Sequence, residues 1–177
     1  HEGEETIKEI LLGKNFDDID GITYNSKNTE IRTKPRKRMN SIFNNPSPYL
    51  DGSFDWIVNK NERTKKYSLH ATVESARGCP FKCAFCEIGD DYYKKVLPAY
   101  KKIKMEIEWI AQNKIEYVTD ANSNFGLFVK QDFNLVEQVI KLKKTYGFPK
   151  AYRVTWAKGM ADRVLGIAKL MQEHNLQ

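Results

Sequence analysis

Residues 68–89 read SLHATVESARGCPFKCAFCEIG, and a change of pattern inside them decides the fold. Up to Ser75 the stretch alternates, with Leu69, Ala71 and Val73 on one side, which predicts a strand half buried against a core. From Arg77 the alternation stops and Cys79, Cys83 and Cys86 follow at C-x3-C-x2-C spacing. They are the only cysteines among 177 residues. A strand running straight into such a loop places the functional edge of its sheet at the strand's C-terminal end.

Downstream the pattern repeats in kind. A helix is expected at 98–112, with Pro98 in its first turn and Ile103, Ile107, Ile110 and Ala111 as an apolar stripe. The strand IEYVT at 115–119 follows, then the loop DANSNFGLF. Next comes a helix at 132–146, capped by Asp132, ended by Gly147 and marked on one side by Val136, Val139, Ile140 and Lys143. AYRVTWA at 151–157 reads as a third strand. Residues 161–175 read as a third helix, with Val164, Ile167, Ala168 and Met171 inward. Strand, helix, strand, helix, strand, helix predicts an α/β fold with a parallel sheet joined by right-handed crossovers.

Upstream the chain differs. Residues 4–12 have helical spacing, with Ile7, Ile10 and Leu11 on one face and Gly13 as a stop. DIDGITYNSKNTEIRT alternates Ile19, Ile22, Tyr24 and Ile31 around an Asn-Ser-Lys-Asn turn, which predicts a β-hairpin. This part is a small α+β element. From Pro35 to about Asn61 periodicity is poor and NNPSPYLDG punctuates the chain, which reads as a linker.

The chain is 41% hydrophobic and 29% charged, as expected of a globular protein. Its formal net charge of +6 permits an anionic partner without requiring one, because KPRKR at 34–38 and KLKK at 141–144 are the kind of cluster that usually forms a solvated face. Nucleic acid is therefore not the partner expected. No apolar run reaches the roughly 18 to 20 residues needed to cross a bilayer, and the N-terminus has no signal-peptide pattern, so no membrane span is expected and a cytoplasmic protein is. Both ends read as cut.

Three clustered cysteines suit a metal or redox site in a reducing compartment better than a disulfide framework. Three sulfurs cannot close an all-cysteine tetrahedral zinc site, and none of His1, His70 and His174 has zinc-finger spacing to them. A single catalytic thiol would leave two cysteines unexplained. A 4Fe-4S cluster fits the count, since three thiolates hold three irons and leave the fourth open to a substrate or cofactor.

RGCPFKCAFC closely resembles the signature of the radical S-adenosylmethionine (SAM) superfamily. The resemblance implies that Cys79, Cys83 and Cys86 hold the cluster and that SAM chelates the open iron. The reduced cluster then cleaves SAM to start radical chemistry. It implies that Phe85 packs near the adenine, although an aromatic there would also cover the cluster from water. YVTDANSNFG resembles the segment after the second strand in the cobalamin-associated branch, which makes Asp120 and Asn122 candidates for polar contacts to SAM; an Asx-rich turn capping the next helix is the plainer reading. HEGEETIKEILLG and PSPYLDG resemble the exit from a cobalamin-binding domain in that branch, although the lower-ligand pattern Asp-x-His-x-x-Gly is missing.

The resemblance implies a partial TIM-like (β/α) barrel: a full radical SAM barrel has about six strand-helix units against eight in a closed TIM barrel, and this chain supplies three. The expected division is 1–34 as the C-terminal remnant of a cobalamin-binding-type domain with its hairpin, 35–66 as linker and 67–177 as the N-terminal half of the radical SAM core. Implied partners are an unidentified substrate and a reductant such as flavodoxin or ferredoxin, with cobalamin a cofactor of the full-length protein. The implied reaction is a cobalamin-dependent methyl transfer or a related transformation, and no catalytic residue is assigned. The alternatives are a methylthiotransferase-like RNA-modifying enzyme, which would carry a second cysteine set upstream, and a non-catalytic zinc or nucleic-acid-binding module.

Overall fold

The computed structural model describes residues 2–64 and 67–176. The chain divides into two compact units, His1–Asn40 and Ser41–Gln177.

In the first unit, helix α1 (Glu4–Leu11) precedes an antiparallel hairpin of β1 (Thr23–Ser26) and β2 (Thr29–Arg32). The turn centres on Lys27 and Asn28, both with positive φ, the geometry that matches the twist of the flanking strands. The unit's small core holds Ile19, and the Arg36 side chain donates to Thr6 Oγ1 and the Asp20 carbonyl. Helix α1 buries none of its residues, and Ile7, Leu11 and Leu12 are exposed.

The second unit carries a three-stranded parallel sheet in the order β3 (His70–Val73), β6 (Tyr117–Asp120), β7 (Ala151–Arg153). Each strand leads toward a helix: α3 (Tyr100–Gln112), α4 (Val129–Tyr146) and α5 (Ala161–Glu173). Helix α4 packs against both α3 and α5. One sheet face, with Ala71, Val118 and Tyr152 in register, is buried under the helices together with Ile103, Ile107, Val136, Val139, Ile167 and Met171. The opposite face exposes His70, Thr72 and Arg153. The sheet is open among the described residues.

Neither edge is bare. The buried Tyr49 hydroxyl donates to the Thr72 carbonyl at 2.7 Å and accepts from the Thr72 N–H at 3.1 Å, so one side chain replaces a neighbouring strand on the outer side of β3. On the outer side of β7, the Tyr152 N–H donates to the Leu176 carbonyl at 2.7 Å.

The strand bounds differ from those read, β6 starting at Tyr117 rather than 115 and β7 ending at Arg153 rather than 157, and three further details depart from the sequence reading. A helix, α2 (Asp55–Thr64), lies in the stretch read as a linker. Pro98 pairs with Ala76 in a short antiparallel clasp of β4 (Ala76–Arg77) and β5 (Leu97–Pro98), and α3 starts at Tyr100 instead. Asp132 sits inside the first turn of α4 rather than capping it, because its carboxylate reaches back to the Gly126 and Phe128 N–H groups.

Candidate functional site

The β4–β5 clasp closes a long excursion, residues 78–96, that carries all three cysteines at the C-terminal edge of β3. Gly78 opens it with φ at +118°, a backbone conformation that L side chains rarely adopt. Inside the loop the order is mostly backbone: Cys79 N–H donates to the Tyr93 carbonyl at 2.9 Å, Cys86 N–H to Cys83 at 3.0 Å, and Gly89 N–H to Cys86 at 3.0 Å. Short 3-10 turns at Glu87–Gly89 and Asp91–Tyr93 complete it, the second capped by the Asp90 side chain. Gly89, the last residue of the first of these turns, packs on the loop backbone, where an added Cβ would come 3.3 Å from the Cys83 carbonyl.

All three cysteines are free thiols and half buried. They share the loop but are not drawn to one focus: among the described residues, no three His, Cys, Asp or Glu side chains lie close enough to hold a metal ion. The donor chemistry nevertheless fits an iron-sulfur cluster with one open iron, since the loop offers three soft thiol donors, all half buried and none tied in a disulfide. The 87%-exposed Phe85 lies between the second and third cysteines, and the Lys158 ammonium, from beyond β7, stands 5.5 Å from its ring centre and 3.8 Å from Cys83 Sγ.

The sequence-predicted Asp120 and Asn122 lie on the same edge, tied to the base of the cysteine loop. Asp120 Oδ1 accepts from the N–H groups of Ser75 at 3.0 Å and Asn122 at 3.1 Å, and Oδ2 accepts from the Tyr152 hydroxyl at 2.9 Å. Asn122 donates to Ser75 Oγ at 3.1 Å and accepts from the Asn124 N–H at 2.9 Å. The Ser75 carbonyl in turn takes the Ala99 N–H at 2.8 Å. Ser75, fully buried, thus joins the second strand's turn to both ends of the clasp.

Asp120 shares the sheet face with Val118 and Val73, under the helices, and is 1% exposed. Burial pushes its carboxyl up, against the bonds from Ser75, Tyr152 and Asn122 that favour the ion. Next to it, buried Asp132 accepts from the Tyr100 hydroxyl at 2.6 Å; burial pushes this carboxyl up as well, helped by the charge of Asp120. Both tyrosines, Tyr100 and Tyr152, are raised by burial first. The Asx turn is present, with Asp120 and Asn122 organising it through internal bonds, but it does not cap the next helix as read, since the N-cap of α4 is Phe128 with no side-chain cap bond.

Sequence reasoning passed over Ser75, Asn124 and Lys158. Asn124 is 2% exposed and its Nδ2 has no hydrogen-bond partner, an orphaned donor of the kind that marks a water or ligand position. Its only sequence signal is being the fourth polar residue in a DANSN run. Lys158 lies past the third strand, where nothing in the sequence ties it to the first loop. The exposed sheet face adds His70, whose Nε2 lies 2.7 Å from Thr119 Oγ1, and Arg153, which stands 5.6 Å from the Tyr117 ring centre. A cleft of about 720 Å³ beside β3 and α3, lined by Tyr49, Phe54, Trp109 and others, includes no residue of the cysteine loop.

No protein-family profile matches the chain. Two curated relatives align with 99% of it at 30% identity: a 2-(S-pantetheinyl)-carbapenam-3-carboxylate methyltransferase of Streptantibioticus cattleyicolor and the cobalamin-dependent radical SAM methyltransferase TokK of Streptomyces tokunonensis. The chain spans 26% of the length of each. Two solved structures of the radical S-adenosylmethionine methyltransferase TsrM from Kitasatospora setae match 97% of the chain with a TM-score of 0.54. One holds tryptophan substrate and a SAM analogue, the other cobalamin and a [4Fe-4S] cluster. At 12% identity and 42% coverage of that protein, the likeness is one of fold. It agrees with the α/β reading of the sheet and helices.

Proposed function

We propose that this chain, which aligns over 99% of its length with the cobalamin-dependent radical SAM methyltransferase TokK and with a carbapenam-carboxylate methyltransferase, is the cluster-binding part of an enzyme of the first kind. The observation that carries the reading is the cysteine loop: three free thiols at C-x3-C-x2-C spacing, on the C-terminal edge of a parallel strand, with no fourth cysteine in the chain.

Cys79, Cys83 and Cys86 hold a 4Fe-4S cluster, and Phe85, lying open on the same loop, packs against the adenine of SAM. Bound there, the cluster would supply the electron for reductive cleavage of SAM. Asp120 and Asn122 serve SAM by positioning the 120–128 turn through the bonds to Ser75, with the free Asn124 amide as the donor nearest to hand for a bound polar group. Residues 67–177 form the first half of the radical SAM core, 35–66 connect it, and 1–34 are the end of a cobalamin-binding-type domain. The connecting stretch includes α2. No described helix is long and apolar enough to cross a membrane, and we place the protein in the cytoplasm with a flavodoxin or ferredoxin as electron donor. The reaction assigned to the whole protein is a cobalamin-dependent methyl transfer.

Anaerobic reconstitution with iron and sulfide tests this. The expected product is brown, with about four irons and four sulfides per chain, and its reduced cluster signal changes when SAM is added. A colourless protein that takes up one zinc instead would overturn the reading in favour of a zinc module.

A further inference from the structure

We infer that Lys158 is a positioning charge for the cluster, raising its reduction potential and tying the cysteine loop to the third strand. The inference rests on the cluster reading above and adds a residue to it. Lys158 follows β7, two strands away from the cysteine loop in the sheet, yet its Nζ lies 3.8 Å from Cys83 Sγ and 5.5 Å from the centre of the Phe85 ring. Lys82, on the cysteine loop itself, pairs with Asp91 at 2.6 Å.

A cluster held by three thiolates gains one negative charge when a flavodoxin- or ferredoxin-type donor passes it an electron. A cation against one ligand sulfur favours the more negative form, and N–H donors to cluster sulfurs act in the same direction. The same ammonium lies near the face of Phe85, so it joins the ligand sulfur and the exposed aromatic from one point.

The test uses reconstituted protein and redox titration followed by electron paramagnetic resonance, with Lys158→Met, Lys158→Gln and Lys158→Arg. Iron and sulfide content should match in wild type and variants. Lys158→Met should disfavour reduction by about tenfold, a midpoint about 59 mV lower for a one-electron couple. Lys158→Gln, which keeps an N–H donor without charge, should lie between, and Lys158→Arg should restore most of the wild-type value. If Lys158→Met loads poorly, Lys158→Gln gives the same reading of charge. Midpoints equal within error across the set, with full clusters, would overturn the role of Lys158 and leave the cluster reading standing. Wild type that holds no cluster would overturn both.

Discussion

Two loops leave the same sheet edge and are built in opposite ways. The 120–128 turn is closed by side chains: Asp120, Asn122 and Asp132 together take or give bonds to Ser75, Tyr152, Tyr100, Asn124, Gly126 and Phe128, most of them buried. The cysteine loop is held mostly by backbone rungs and a short clasp, with the Asp90 cap and the Lys82–Asp91 ion pair as exposed side-chain ties, and its functional side chains remain half buried or exposed. The difference teaches where rigidity is placed. A buried polar network, here bonded throughout except at Asn124 Nδ2, fixes one geometry, and Ser75 passes that geometry to the base of the loop, while the thiols, half buried and in no disulfide, are left available to a cluster.

The largest effects should therefore fall on the cluster without touching the fold. Replacing Cys79, Cys83 or Cys86 with alanine should abolish the broad iron-sulfur absorbance of reconstituted protein, while far-ultraviolet circular dichroism stays that of wild type. Unchanged iron and sulfide in any one of the three would break the assignment of the loop.

Next in size is the opposite experiment on the turn. Asp120→Ala leaves the Ser75 and Asn122 N–H groups and the Tyr152 hydroxyl without their acceptor, and each buried unsatisfied group costs about 1–3 kcal/mol. A loss of roughly 3 kcal/mol or more in denaturant unfolding is expected. The pH dependence carries the same signature. Asp120 and Asp132 are raised by burial in the folded state, so the folded form holds their protons more tightly than the unfolded form. Their contribution is fully present below the ordinary aspartate value of about 3.9 and fades as pH rises through the raised values. Asp120→Asn should flatten that decline. A variant with the wild-type slope would show that Asp120 is not the group titrating.

A smaller effect is expected at the outer edge of β3. Tyr49→Phe removes the hydroxyl that serves both polar groups of Thr72 and should cost about 1–2 kcal/mol, seen as a lower Tm. No change would mean that solvent serves that edge as well as the tyrosine does.

Much of this arrangement was legible in the sequence, where periodicity alone decided the matter. The stripe of Ile103, Ile107, Ile110 and Ala111 is fully buried, and Gly147 ends α4 in the left-handed conformation expected of it. What escaped was nonlocal. Helix α2 has few apolar residues and follows Pro46, Pro48 and Gly52, so local pattern reads it as a connector, although its Val58 joins the core. Asp132 looked like a helix cap because caps are defined locally, whereas its partners Gly126, Phe128 and Tyr100 are set by how the loop folds back. The cysteine spacing pointed to the cluster loop, but no spacing reveals that a lysine 75 positions further on stands beside Cys83.

Phe85→Ala should have the smallest effect on the fold and makes the sharpest test of the contrast. The ring is 87% exposed, so truncating it removes little buried apolar area, and denaturant stability should stay within about 0.5 kcal/mol of wild type. Whatever the ring does must then be done for a ligand. If it packs on the adenine, calorimetry on cluster-loaded protein should show SAM binding weakened by about tenfold, in line with the ~1.4 kcal/mol that an aromatic contact can supply. A stability loss above 1 kcal/mol with SAM affinity intact would reverse the argument, because the cysteine loop would then use Phe85 as core and the availability ascribed to its side chains would not exist.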